Sequence, residues 1–301
     1  MVISQKAKKY FQQIIAPTLP FCLLFRLQSY NKEIRFKMKE QPIGFLDSGL
    51  GGLSVVKEVK KLLPRENIEY FADNQRQPYG EKNQSELIKY TLQIVYFLLK
   101  KKIKACVIAC NTATTASLIP AKEHFSIPII GVIQPAVQDA VKRTLNKRIG
   151  IIATEFTTKN QTYPQEIKRI APEIEVFSNF CPEFVPLVET GKFTAPETYE
   201  VAREYLKPLK KARIDTLILG CTHYSFLKKV ISEIIGQEVI LIDPAVSTSL
   251  ILKEILSQKG ILKERGKCEE NYYTTGLPEK VERIAKIILN NNKKWGQAYT
   301  L

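Results

Sequence analysis

Histidine is almost missing from this chain, whose 301 residues hold two, His124 and His223. So few imidazoles exclude a multi-histidine metal centre, and the six cysteines contain no CxxC pair that could replace one. Nor are the cysteines dense enough for a secreted disulfide scaffold, so a reducing cytoplasm is the expected setting. Long apolar runs are missing too. The longest near the N-terminus, residues 19–25, contains Pro20 and falls far below the roughly 20 residues that cross a bilayer. No membrane span or membrane partner is expected. Acidic residues are short, 30 against 45 Lys and Arg, which gives a net charge of +15. Such a balance can mark a nucleic-acid binder, but here the charge is spread and no RRM, zinc-finger or helix-turn-helix signature accompanies it. A nucleic-acid partner is therefore not expected. With 45 % hydrophobic and 25 % charged residues, disorder throughout is excluded, and the chain can bury one large core or two ordinary ones.

Seven basic residues and one acid, Glu33, put +6 of the charge into residues 1–37. A basic start followed by apolar residues 14–25 has the outline of a signal peptide, but Pro17 and Pro20 interrupt it and no small-x-small cleavage site follows. The expectation is a poorly ordered basic extension, or a start codon assigned too early. Met38, the only methionine after Met1, lies just before the first clean strand pattern, where the fold should begin.

From there, short β-branched runs alternate with longer amphipathic stretches, the pattern of βα units around a largely parallel sheet. Strands are predicted at residues 43–46, 68–72, 105–109 and 127–132, then at 149–153, 174–177, 216–219 and 239–242. The two series overlay. Ile43-Gly44-Phe45-Leu46 matches Ile149-Gly150-Ile151-Ile152 at an offset of 106, and the run from Ile103 to Thr112 matches that from Ile214 to His223 at 111. Pro135-Ala136-Val137 then matches Pro244-Ala245-Val246 at 109. Three matches in one order predict two similar open α/β domains related by a pseudo-twofold axis, with a site in the cleft between them. The repeat ends near Pro244, yet amphipathic stretches at residues 247–256 and 279–289 remain. They should cross back, so that Leu250, Ile284 and Ile288 pack on the first half. The domains are then 38–134 with 245–289, and 135–244, leaving 290–301 as a polar tail.

Ligands of open α/β sheets bind beyond the carboxyl ends of the strands, and Cys110 and Cys221 occupy equivalent ends. A cysteine between a strand and a polar helix start is placed where the dipole favours its thiolate. A single such cysteine is usually a small core residue. Two at duplicated positions suggest a pair of acid/base groups facing one cleft, several Å apart and too far for a disulfide. Cys22, Cys106, Cys181 and Cys268 are read as structural, as is His124 on a helix surface. His223 directly follows Cys221-Thr222 and titrates near neutral pH. Asp47-Ser48-Gly49-Leu50-Gly51-Gly52 is a turn whose Asp or Ser could cap the following helix. It lacks GxxxxGK[ST], and Asp47 would oppose a bound phosphate, so this loop suits an ammonium group or a proton transfer better. No set of metal ligands at suitable spacing is visible.

Taken together, Asp47-Ser48-Gly49-Leu50-Gly51-Gly52, Pro78-Tyr79-Gly80, Cys110-Asn111-Thr112-Ala113, Val188-Glu189 and Gly220-Cys221-Thr222-His223-Tyr224 resemble the cofactor-independent aspartate/glutamate racemase family, in its order and spacing. The likeness runs from about Ile43 to Pro244, extends to the helix around Ile284, and leaves out both termini. It implies interconversion of L- and D-glutamate without a cofactor, the D-enantiomer serving peptidoglycan and cell-wall synthesis. It also implies catalytic Cys110 and Cys221, with Asp47 assisting the first and Glu189 and His223 the second. Implied substrate contacts are Asp47, Ser48, Tyr79, Gly80, Asn111, Thr112, Thr222 and His223. By the same resemblance Cys110 deprotonates D-glutamate and Cys221 L-glutamate. Aspartate, or another amino acid of the same superfamily, is the alternative substrate, but aspartate racemases usually carry Glu where this chain has His223. Oligomeric state stays open, a homodimer included.

Overall fold

The computed structural model describes residues 36–290 and 292–298, with Glu33. Cys22 and nearly all of the basic extension fall outside the described residues. Residues 36–40 are helical, and the first strand follows at Ile43.

Two parallel sheets carry the chain. The first joins β1 (Ile43–Asp47), β2 (Ile68–Ala72), β3 (Ala105–Ile108), β4 (Ile129–Gly131), β9 (Glu270–Thr274) and β10 (Trp295–Gln297) in the order β10-β9-β2-β1-β3-β4. The second joins β5 (Arg148–Ala153), β6 (Glu175–Phe180), β7 (Thr216–Gly220) and β8 (Ile240–Ile242) in the order β6-β5-β7-β8. The α/β, parallel-sheet expectation is met, and all eight predicted strands form within one to three residues of their expected ends.

The duplication is visible in the strand order, because β2-β1-β3-β4 and β6-β5-β7-β8 are the same sequence of positions. It extends to side-chain packing. A Cβ on Gly44 would meet Ile103 Cδ1 at 2.8 Å, and a Cβ on Gly150 would run into Ile214 Cδ1. In both sheets a glycine in the central strand makes room for the isoleucine that leads into its neighbour, and Ile103 and Ile214 are partners in the 111-residue offset. Because crossover helices cover both faces of a parallel sheet, β1, β2, β3 and β7 are buried at every residue. β6 stands at an edge and is exposed on alternate residues toward its end.

Both ends of the chain build the first sheet's core. Helix α1 (Leu53–Leu62) packs with α10 (Pro244–Gln258) and α11 (Pro278–Leu289), and Leu252, Leu256, Val281, Ile284 and Ile288 join Phe45, Val56 and Tyr70 in one cluster. Leu250 does not join it and stands 55 % exposed, because the buried face of α10 carries Ala245, Thr248, Leu252 and Leu256 instead. Within the expected polar tail, residues 295–297 form a strand. Trp295 opens β10 and is buried against Tyr70 and Tyr272, ring centroids 5.7 and 5.2 Å away, so one aromatic anchor makes a strand of a polar segment. β9 was equally hidden in the sequence, since Glu-Asn-Tyr-Tyr-Thr shows little apolar alternation. Among the described residues no helix is long and apolar enough to cross a membrane.

Candidate active site

The strand ends and the turns after them enclose a cavity of about 430 Å³, walled on one side by Ser48, Tyr79, Cys110 and Asn111, and on the other by Thr154, Cys181, Cys221 and His223. Each side comes from one sheet. Of the eleven residues singled out in the sequence, ten line this cavity: Ser48, Tyr79, Gly80, Cys110, Asn111, Thr112, Glu189, Cys221, Thr222 and His223. Asp47 stands one layer behind. It is fully buried, accepts the Gly49 N–H at 2.8 Å, and receives the Thr222 hydroxyl at 3.3 Å from the opposite side. Burial raises its pKa. Neither Asp47 nor Ser48 caps α1, whose first turn is preceded by Gly52 without a side-chain cap.

Cys110 ends the turn after β3 and is the N-cap of α3 (Asn111–His124), where its sulfur receives the Ala113 N–H at 3.5 Å. Its own S–H points to Ser48 Oγ, 3.8 Å away. Burial, reinforced by the Asp47 carboxyl, pushes this thiol up to about 12. Cys221 differs. It is followed by a 3₁₀ segment, Thr222–Leu227, and only then by α9 (Lys228–Ile235), so the expected α-helix start is replaced by a tighter turn of mostly β-branched, aromatic and polar residues. That turn brings His223 Nδ1 back to 3.7 Å from Cys221 Sγ. The other ring nitrogen, Nε2, lies 2.7 Å from Glu189 Oε1, at the end of α7 (Phe184–Glu189).

Burial works against a charged His223 ring, but the Cys221 sulfur and the Glu189 carboxylate outweigh it and hold the imidazole well above its ordinary value. Glu189 is held below the usual carboxylate range: burial opposes this, and the bonds from His223, Gln77 Nε2 (3.1 Å) and the Leu50 N–H (3.3 Å) overcome it. The two thiols thus have opposite surroundings, an acidic one at Cys110 and a cationic one at Cys221. Both cysteines are free.

Gly51 owes its place to this arrangement. A Cβ there would run into His223 Nδ1 and lie 2.7 Å from Thr222 Oγ1. Gly51→Ala is expected to leave the fold intact, by circular dichroism, and to lower turnover about 10²-fold by displacing the imidazole. Unchanged turnover would show that this contact does not set the ring's position.

Several wall residues lie outside the motifs read from the sequence. Thr154 follows β5 as Ser48 follows β1, and the 106-residue offset pairs the two positions. Thr154 Oγ1 lies 3.0 Å from Thr112 Oγ1, across the cleft. Gln77 precedes Pro78-Tyr79-Gly80 and holds Glu189. Cys181, read as structural, is buried in the wall beside Pro182. His124 is exposed at the end of α3. Among the described residues, no group of three or more metal-ligating side chains is present.

The Asp/Glu/hydantoin racemase family model matches residues 50–248. The chain belongs to this family. It is 42 % identical over 265 residues to the glutamate racemase of Geobacter metallireducens, a match covering 87 % of this chain and 97 % of that one. Its fold is similar to glutamate racemase isoform RacE1 from Bacillus anthracis, with a TM-score of 0.84 and 37 % identity over 86 % of this chain and 98 % of the other. The Francisella tularensis glutamate racemase, solved in complex with D-glutamate, gives a TM-score of 0.80 at 35 % identity over 87 % and 98 %.

Proposed function

We propose that this racemase interconverts L- and D-glutamate, with Cys110 and Cys221 as the two acid/base groups. One observation carries the reading: free cysteines from equivalent strand ends of two sheets wall the same cavity. We take the halves to be residues 38–134 with 245–298, and residues 135–244, each contributing one thiol. Racemisation breaks the Cα–H bond on one face and makes it on the other, so each direction needs one thiolate to take the proton and one thiol to return a proton. With L-glutamate bound, Cys221, beside the His223 ring, removes the proton, and Cys110 supplies the returning one. D-glutamate reverses these roles. No electron leaves the substrate and no group is transferred.

The carbanion between the two steps needs fixed dipoles. Candidates are the N–H groups at the start of α3 and the Ser48, Thr112 and Thr222 hydroxyls, while Asn111, whose Nδ2 has no partner among the described residues, is a contact for the bound amino acid. Asp47 acts from behind the wall, by orienting Thr222 and setting the field at Cys110. His223 in the place where aspartate racemases usually carry Glu favours glutamate over aspartate. Dialysed protein incubated with either glutamate enantiomer is expected to bring its circular dichroism to zero and, in deuterium oxide, to label the α-carbon. No change with glutamate, or faster conversion of aspartate, would overturn the reading.

A further inference from the structure

Tyr163, on α6 (Thr162–Ile170), is 1 % exposed and lies in the second sheet's core with Ile133, Ile151 and Ile167. Its hydroxyl leaves that core and reaches Asn111 Oδ1, 2.6 Å away on the other side of the cleft. Its ring lies against β7, where a Cβ on Gly220 would meet it at 3.1 Å. One side chain therefore touches the residue before Cys221 and bonds the residue after Cys110.

Burial keeps the phenol protonated far above neutrality, and among the described residues its acceptor is Asn111 Oδ1. A hydroxyl that must donate can accept only one orientation of the amide, with Oδ1 turned toward it. Asn111 is 2 % exposed, and its Nδ2 is buried at the cavity wall without a partner among the described residues. An unpaired buried donor is costly unless a ligand acceptor completes it.

We propose that Tyr163 is a positioning residue: its hydroxyl fixes the Asn111 carboxamide so that Nδ2 faces an acceptor oxygen of the bound amino acid. This deepens the reading of the site given above and rests on it. Tyr163→Phe keeps the ring and removes only the donor, freeing the amide to turn. KM for glutamate is expected to rise about tenfold with kcat within about twofold, the pattern of lost uniform binding. In an Asn111→Ala background the same change should alter kcat/KM by less than about twofold, since Tyr163 acts through Asn111.

A second readout does not depend on turnover. The side-chain NH₂ resonances of Asn111, identified by their loss in Asn111→Ala, should shift in Tyr163→Phe. Equal losses in both backgrounds, unmoved Asn111 resonances, or a Tyr163→Phe protein that fails to fold would each overturn the proposal, the last by making the bond a structural one. A wild-type protein that does not racemise glutamate would instead overturn the functional reading, while the resonance shift would still decide whether Tyr163 sets the amide.

Discussion

Cys110→Ala is expected to abolish racemisation of glutamate from either enantiomer, and Cys221→Ala to do the same. Each direction uses both sulfurs, one as base and one as acid, so neither variant retains a complete path. The informative difference between them lies elsewhere. Enantiomers have equal free energy in water, so kcat/KM in the two directions is tied to one value in every variant, and comparing racemisation rates cannot separate the roles. Exchange of the α-proton without inversion can. In deuterium oxide, Cys221→Ala keeps Cys110 and should wash label into D-glutamate only, while Cys110→Ala keeps Cys221 and should wash it into L-glutamate only. Racemisation near the wild-type rate in either variant would sink the two-base scheme and leave the duplicated cysteines as core residues.

His223→Asn should lower kcat/KM by about 10² to 10⁴, the usual scale of an acid–base contribution. The imidazolium places a positive charge 3.7 Å from the Cys221 sulfur. As pH climbs through the raised value of His223 the wild-type ring loses that charge as well, so the deficit should narrow on the alkaline side. A deficit constant across pH would assign His223 a purely geometric role. Stability carries a matching signature, whose sign follows from the directions of the two shifts. His223 is raised in the folded protein, so its contribution is complete below the ordinary 6.5 and is lost as pH climbs through the raised value. Glu189 is lowered, so its contribution is complete above the ordinary 4.5 and is lost as pH falls through the lowered value. The difference in melting temperature between wild type and His223→Asn should therefore be largest between pH 4.5 and 6.5. It should shrink on the alkaline side.

What could be read in advance divides along physical lines. Strand positions and the cysteine pair were legible because a parallel strand buried on both faces must be continuously apolar, and because duplication printed the pattern twice. Where burial depends on one side chain, the sequence stayed silent: β10 exists because Trp295 finds Tyr70 and Tyr272, partners more than twenty residues away at the nearest. Leu250 misled for the converse reason, since helical periodicity marks an apolar face but not which of two neighbouring stripes meets the core. In the site, residues inside recognisable motifs were found. Those that act from another element were not. Gln77 and Tyr163 look ordinary until the fold sets them against Glu189 and Asn111, and Thr154 could have been reached only by extending the repeat one residue past β5.

The first sheet cannot be completed until residue 297 has been made. β5 to β8 form an uninterrupted stretch, but β2 waits for β9, and β9 for β10 at residues 295–297. During synthesis the half bearing Cys221 has all its strands while the half bearing Cys110 still has an open edge. The late arrival bears on chemistry as well as on order of assembly. Trp295 closes on Tyr70, and the Tyr70 hydroxyl holds the Gly49 carbonyl at 2.7 Å, in the loop that supplies Asp47 and Ser48. The last of the described strands to be made thus braces the first loop of the site, and a chain still lacking it would carry its second cysteine in place beside a first that is still unsupported.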